Sequence, residues 1–175
     1  MGWSAVIANG LAWFLVWLFA QAAWHKFATP RFYRQLMAQY LGRAGSNVAV
    51  WLVAAIEAGV ALVLLISQWR CAGLVAAAAM LLIYSSLMAS RLWQGDAGIQ
   101  CGCSGPDSEL VLSWALVMRN GACAVLALLA LVAGDTSGPG WPGGLVSMLI
   151  AAVLIFGYVI CELIISQAQW MAGEG

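Results

Sequence analysis

The sequence predicts an all-α integral membrane protein, a bundle of five transmembrane helices with a short interfacial amphipathic helix. Three observations carry that fold class. Of the 175 residues, 64% are hydrophobic and only 8% charged, which leaves too little polar surface for a soluble domain of this size. A bilayer core needs about 20 apolar residues per helix, and five stretches supply them, at about 4–27, 48–67, 71–93, 112–133 and 145–167. Backbone polar groups must be satisfied inside lipid, and no period-2 polar alternation is present to build a barrel. Seven basic and seven acidic residues cancel, so there is no basic patch for nucleic acid, and no Gly-rich phosphate loop follows a plausible strand. The chain reads as a single membrane domain, 1–175, without internal repeats.

The first stretch contains Ala20-Gln21-Ala22, similar to a signal-peptide cleavage site. It has no preceding basic residue and its apolar run is too long, so a retained helix is expected. After it, "ATPRFYRQLMAQYLGRAGSN" places Phe32, Leu36, Met37 and Tyr40 at helical spacing among Arg31 and Arg34. This predicts an interfacial helix at about 30–41, started by Thr29-Pro30 and ended near Gly42 and Gly45, with a plain connecting loop as the alternative. A short link at Gln68 to Arg70 makes the second and third helices a hairpin. The longest polar link is 94–111, and the Gly- and Pro-rich link 134–144 reads as a turn. Trp3, Trp24, Trp51, Trp69, Trp93, Trp114, Trp141 and Trp170 fall near the proposed helix ends, as indole's interfacial preference predicts.

The loop 94–111 holds "GIQCGCSGPDSE" and so the pair Cys101 and Cys103. Accessible thiols in a polar loop exchange with disulfides when one is a thiolate. With one residue between them, a disulfide closes a tight ring, and Gly102 and Gly105 would ease the backbone around it. A labile redox pair is the expectation. The alternatives are two unrelated loop thiols or a metal site; zinc usually needs two further ligands, and the chain offers a single His, His25. No metal is therefore assigned. Cys71, Cys123 and Cys161 lie in or at the ends of apolar helices, where Cys behaves mostly as a small hydrophobe.

Helix parity puts the loop after the first helix, the loop 94–111 and the C-terminus on one face. Lys26, Arg91, Arg119 and Glu162 lie toward that face. Glu57 lies near the middle of the second helix, where an ionised carboxylate costs several kcal/mol unless paired. Lys26 and Arg119 are its candidate partners, and Glu162 could complete a network. Such a network has two readings of equal weight, a structural ion pair or an aid to the thiols, since a nearby Arg or Lys favours thiolate.

The residues "WHKFATPRFYRQLMAQY" from Trp24, Glu57, "CGCSG" from Cys101, and Arg119-Asn120 resemble the MauE family of methylamine utilisation proteins, relatives of DoxX-like membrane proteins. The likeness runs from about Phe14 to Ala124, and Cys-Gly-Cys followed by Arg-Asn in the next helix is its most specific part. It implies a protein of the bacterial inner membrane that matures the small (beta) subunit of an amine dehydrogenase bearing tryptophan tryptophylquinone. It also implies a thioredoxin-like partner, MauD, with which Cys101 and Cys103 exchange a disulfide. Ser104 departs from the pattern, where an aromatic residue, usually Phe, is expected.

Two other classes of function stay open at this point. In one, the chain is a non-catalytic scaffold whose segment around Phe32, Leu36 and Tyr40 docks the thioredoxin-like partner and its substrate. In the other it is a small transporter with Glu57 and Arg119 as a coupling pair. No cofactor is identified; a membrane quinone is one electron acceptor the chemistry could use, and Trp13 and Trp17 at helical spacing either line its site or pack ordinarily. The resemblance implies a periplasmic Cys loop. Lys26, Arg31, Arg34, Arg43 and Arg91 on that face oppose this by the positive-inside rule, unless several turn inward to Glu57.

Overall fold

Every apolar stretch meets the same constraint, that its backbone must be satisfied from within, and every one is helical. The computed structural model describes residues 2–95, 110–133 and 140–173, apart from the side chains at 39–41, 43–44 and 172–173. The helices are α1 (Trp3–Ala28), α2 (Pro30–Leu65), α3 (Arg70–Trp93), α4 (Trp114–Val132) and α5 (Trp141–Gly173), with a 3-10 turn, Ser67–Trp69, between α2 and α3. Five helices are long and apolar enough to cross a membrane, the second of them over Gly45–Leu65. The chain is an all-α integral membrane protein.

Pro30 separates α1 from α2. Thr29 leaves the helical region, with φ −129° and ψ 60°, as the clash with a following proline favours, and Pro30 opens the next helix where its missing N–H costs nothing. The Thr29 hydroxyl, expected to start α2, instead donates to His25 O at 2.8 Å and closes α1. The segment 30–41 is helical, and the break after it falls at Gly42, with φ 77°. That left-handed value is what glycine permits and a Cβ penalises. α5 begins at Trp141 rather than about 145, because Pro142 sits in its first turn, where proline is tolerated.

α1 is the most buried helix and α5 the least. Leu11, Phe14, Leu15 and Phe19 of α1 form the centre of the main core. Small residues on the facing helices, Ala77 and Ala78 of α3 and Ala124, Ala127 and Ala130 of α4, are part of the same core, where small side chains let backbones approach as membrane packing requires. A Cβ on Gly10 would lie 2.7 Å from Ile150 Cγ2, so α1 and α5 meet there at backbone distance. Beside it Ser147 Oγ is 2.8 Å from Val6 O and 2.9 Å from Gly143 O.

A smaller cluster, Met88, Leu110, Leu112 and Leu116 with Leu92, Val117 and Ile165 around it, lies where α3, α4 and α5 converge. The rings of Trp93 and Trp114 sit 5.9 Å apart across it. The Gln169 side chain bonds the backbone of Val111. These contacts bring the end of α3, the start of α4 and the end of α5 to one face. The eight tryptophans expected at helix ends are all exposed on the outside of the bundle.

Candidate functional site

In a helix each Cα–Cβ bond leans toward the N-terminus. α1 and the membrane part of α2 run antiparallel, with Phe27 against Trp51 at one end. Lys26, near the end of α1, therefore reaches into the bundle while Glu57 leans back toward it. They meet with Nζ 2.8 Å from Oε1. Tyr84 of α3 donates its hydroxyl to the same oxygen at 2.7 Å, and the Lys26 ammonium lies 5.1 Å from the centre of the buried Tyr33 ring. Glu57 is 0% exposed. Its Oε2 has no hydrogen-bond partner among the described residues, and both bonds given to this carboxylate fall on Oε1.

A second ion pair lies between α4 and α5. Arg119 Nη1 is 3.4 Å from Glu162 Oε2, and the Glu162 side chain keeps 21% of its surface exposed. The guanidinium also lies 4.6 Å from the centre of the Tyr158 ring, within range of a cation–π contact. Tyr158 in turn meets Trp17 edge-on at 5.8 Å. Asn120, buried beside Arg119, points its amide at Met88 Sδ, 3.7 Å away.

The sequence expectation of one network centred on Glu57 is thus corrected to two pairs: Glu57 takes Lys26, and Arg119 takes Glu162. The reason is which helices flank each residue: Lys26 of α1 and Tyr84 of α3 close on Glu57, whereas Arg119 of α4 meets Tyr158 and Glu162 of α5. Of the cations on the loop's face, Lys26 and Arg119 turn inward, whereas Arg31 is exposed and Arg34 and Arg91 are half-buried. Arg70 on the opposite face is itself buried, donating to Asn9 Oδ1 and Leu64 O. Phe32 and Leu36 are half-buried, Phe32 edge-on to Tyr33 at 5.2 Å. Cys101, Gly102, Cys103, Ser104 and Gly105, and the Tyr40 side chain, lie outside the described residues.

Sequence reasoning missed Tyr33, Tyr84, Tyr158 and Gln169. Tyr84 and Tyr158 carried a signal: a tyrosine placed well inside a span is away from its preferred interfacial depth and its hydroxyl needs an internal partner. Trp13 and Trp17 line an open apolar groove of about 260 Å³ with Met148, Ala151, Ala152 and Ile155 of α5.

These features define a class: a polytopic helical membrane protein with a lysine–glutamate pair sealed in its interior and, in its sequence, a Cys-Gly-Cys element between α3 and α4. Within that class, the model of the family described as methylamine utilisation protein MauE matches residues 4–133, and the chain belongs to that family. The methylamine utilization protein MauE of Paracoccus denitrificans is 32% identical over 117 residues, an alignment that covers 66% of this chain and 63% of that relative. The chain thus spans less than two thirds of the relative's length. No solved structure matches.

Proposed function

We propose that this chain acts in methylamine utilisation as a thiol–disulfide exchange component of the bacterial inner membrane. Cys101 and Cys103 are its reacting groups, a thioredoxin-like protein of the MauD kind its partner, and the small subunit of an amine dehydrogenase with tryptophan tryptophylquinone the protein matured. The observation that carries the reading is the Cys-Gly-Cys pair in the one long polar loop of a MauE family member. A partner thiolate attacks one sulfur of the Cys101–Cys103 disulfide, forming a mixed disulfide and releasing the other sulfur as thiolate. The partner's second thiol then resolves it, so that two electrons and two protons pass to Cys101 and Cys103 and the partner leaves oxidised. The reverse exchange reduces the partner.

In this reading Lys26, Glu57 and Tyr84 hold α1, α2 and α3 in register, while Arg119 and Glu162 lie nearer the loop. Arg91 and Asn120 support the same end, and Phe32, Leu36 and Tyr40 offer the partner a surface. Exchange with an exported protein calls for a periplasmic loop, where disulfides persist. The exposed and half-buried cations of that face oppose such an orientation, which makes sidedness the sharpest check.

The test replaces Cys101 and Cys103 by Ser, singly and together, in cells producing the dehydrogenase. Loss of correctly disulfide-bonded small subunit is expected. Unchanged yield with the double variant refutes exchange chemistry; if variants at Phe32 and Leu36 then abolish the yield, the scaffold role replaces it. Labelling of Cys101 from the cytoplasm alone overturns the export account.

A further inference from the structure

α5 lies beyond the residues that the family model matches, yet it bears on everything described around the loop. Tyr158, Glu162, Ile165 and Gln169 recur at intervals of four, three and four, which is one stripe of a helix. Tyr158 lies under the Arg119 guanidinium, Glu162 pairs with it, and Ile165 packs on the cluster of Met88, Leu110, Leu112 and Leu116. At the end of the stripe, Gln169 Nε2 donates to Val111 O at 2.8 Å and its Oε1 accepts from Val111 N at 3.0 Å. The stripe spans roughly 16 Å at 1.5 Å per residue.

We propose that this stripe is a strut that positions the thiol-bearing loop, and that Gln169 is its positioning residue. The inference rests on reading Cys101 and Cys103 as the reacting pair. A side-chain amide that takes both backbone groups of one residue does what a neighbouring strand does: it sets the orientation of that peptide as well as its location. Val111 is the second described residue after the thiols in the chain, so the return path of the loop is held there. The other end of the strut is anchored by a charge pair and a ring buried in the main core. Gln169 makes its bonds where water competes, so its stabilising effect is modest and its geometric effect is the larger.

The experiment uses the full chain in lipid nanodiscs. Gln169→Glu keeps the shape and the acceptor but sets a carboxylate oxygen against Val111 O; Gln169→Leu removes both bonds; Gln167→Glu, on an exposed position nearby, is the charge control. Hydrogen exchange of the segment carrying Val111 should accelerate about tenfold in Gln169→Leu, the loss expected for two hydrogen bonds, and about threefold or more in Gln169→Glu, which loses one, and stay unchanged in the control. The alkylation rates of Cys101 and Cys103, and the equilibrium constant of their disulfide against glutathione, should each change about threefold or more, the equivalent of one modest hydrogen bond. Unchanged exchange overturns the grip. Faster exchange with unchanged thiol chemistry overturns the positioning role and leaves ordinary packing. If the wild-type thiols form no disulfide at all, the exchange function fails, and their alkylation rates still decide the strut.

Discussion

The two ion pairs of this protein solve the same problem in different ways. Glu57 is fully enclosed, takes a 2.8 Å bond from Lys26 and a 2.7 Å bond from Tyr84, and draws these partners from α1 and α3. Glu162 is partly exposed, lies 3.4 Å from Arg119, and shares that cation with the face of Tyr158. The first pair is closed in on every side; the second leaves its carboxylate side chain 21% uncovered. Enclosure therefore assigns the Lys26–Glu57 site to holding the fold. The looser geometry assigns the Arg119–Glu162 site to the side where the loop stems are gripped, and where a small movement costs little.

The contrast is most easily broken at Glu57. Glu57→Gln strands the Lys26 ammonium in a buried site, and removal of one partner of such a pair costs about 3–5 kcal/mol. At the size of this chain that is a fall of roughly 6–20 °C in Tm, readable by thermal unfolding in nanodiscs. A double replacement, Lys26→Met with Glu57→Leu, removes both charges and should recover most of the loss, because well-packed apolar side chains often match a buried pair. Equal losses in the single and double variants would show that the charge is not what the site depends on. Tyr84→Phe comes next. It deletes one donor to the carboxylate without stranding a cation, and about 1.5–3 kcal/mol is expected for a hydrogen bond to a charged group.

How much of this was legible follows from what each feature depends on. The helices were legible because lipid permits few alternatives, and the exposed tryptophans marked their ends because an indole prefers the interface. The break at Gly42 was legible because few residues other than glycine adopt φ 77°. That Glu57 has a partner was legible from the cost of a bare charge at mid-span. Which partner was not: Lys26 and Arg119 were equal candidates, and the choice is set by how far each helix is rotated and in which direction its side chains lean. Tyr84 and Tyr33 depend on the same rotations. Gln169 was invisible because an amide bonding a backbone segment from the end of a distant helix has no pattern in composition or spacing.

The seam between α1 and α5 tests whether the outer site depends on how α5 is seated. Gly10→Val drives methyl groups into Ile150, which a Cβ alone would approach to 2.7 Å, and overpacking of that kind costs about 1–3 kcal/mol. Displacement of α5 should lengthen the Arg119–Glu162 pair and leave Lys26–Glu57 intact, since Gly10 is on the far side of α1 from Lys26 in sequence and α5 supplies nothing to Glu57 among the contacts described. Faster hydrogen exchange in the α5 C-terminal half, without a change around Glu57, is the expected pattern. Equal loosening at both sites would make them one unit.

The smallest effect is expected at Glu162 itself. Glu162→Gln retains an oxygen that can accept from Arg119, and the guanidinium keeps the Tyr158 ring beneath it. The bond is long, at 3.4 Å, and its carboxylate side chain is only partly enclosed, so the loss expected is that of one modest hydrogen bond, about 0.5–1.5 kcal/mol, or roughly 1–6 °C in Tm. Unlike Glu57→Gln, this substitution leaves its cation with an aromatic face. The ratio of the two losses is therefore the direct measure of enclosure. Were Glu162→Gln to cost as much as Glu57→Gln in the same unfolding assay, exposure would not distinguish the sites, and Glu162 would have to be holding the bundle together as Glu57 does.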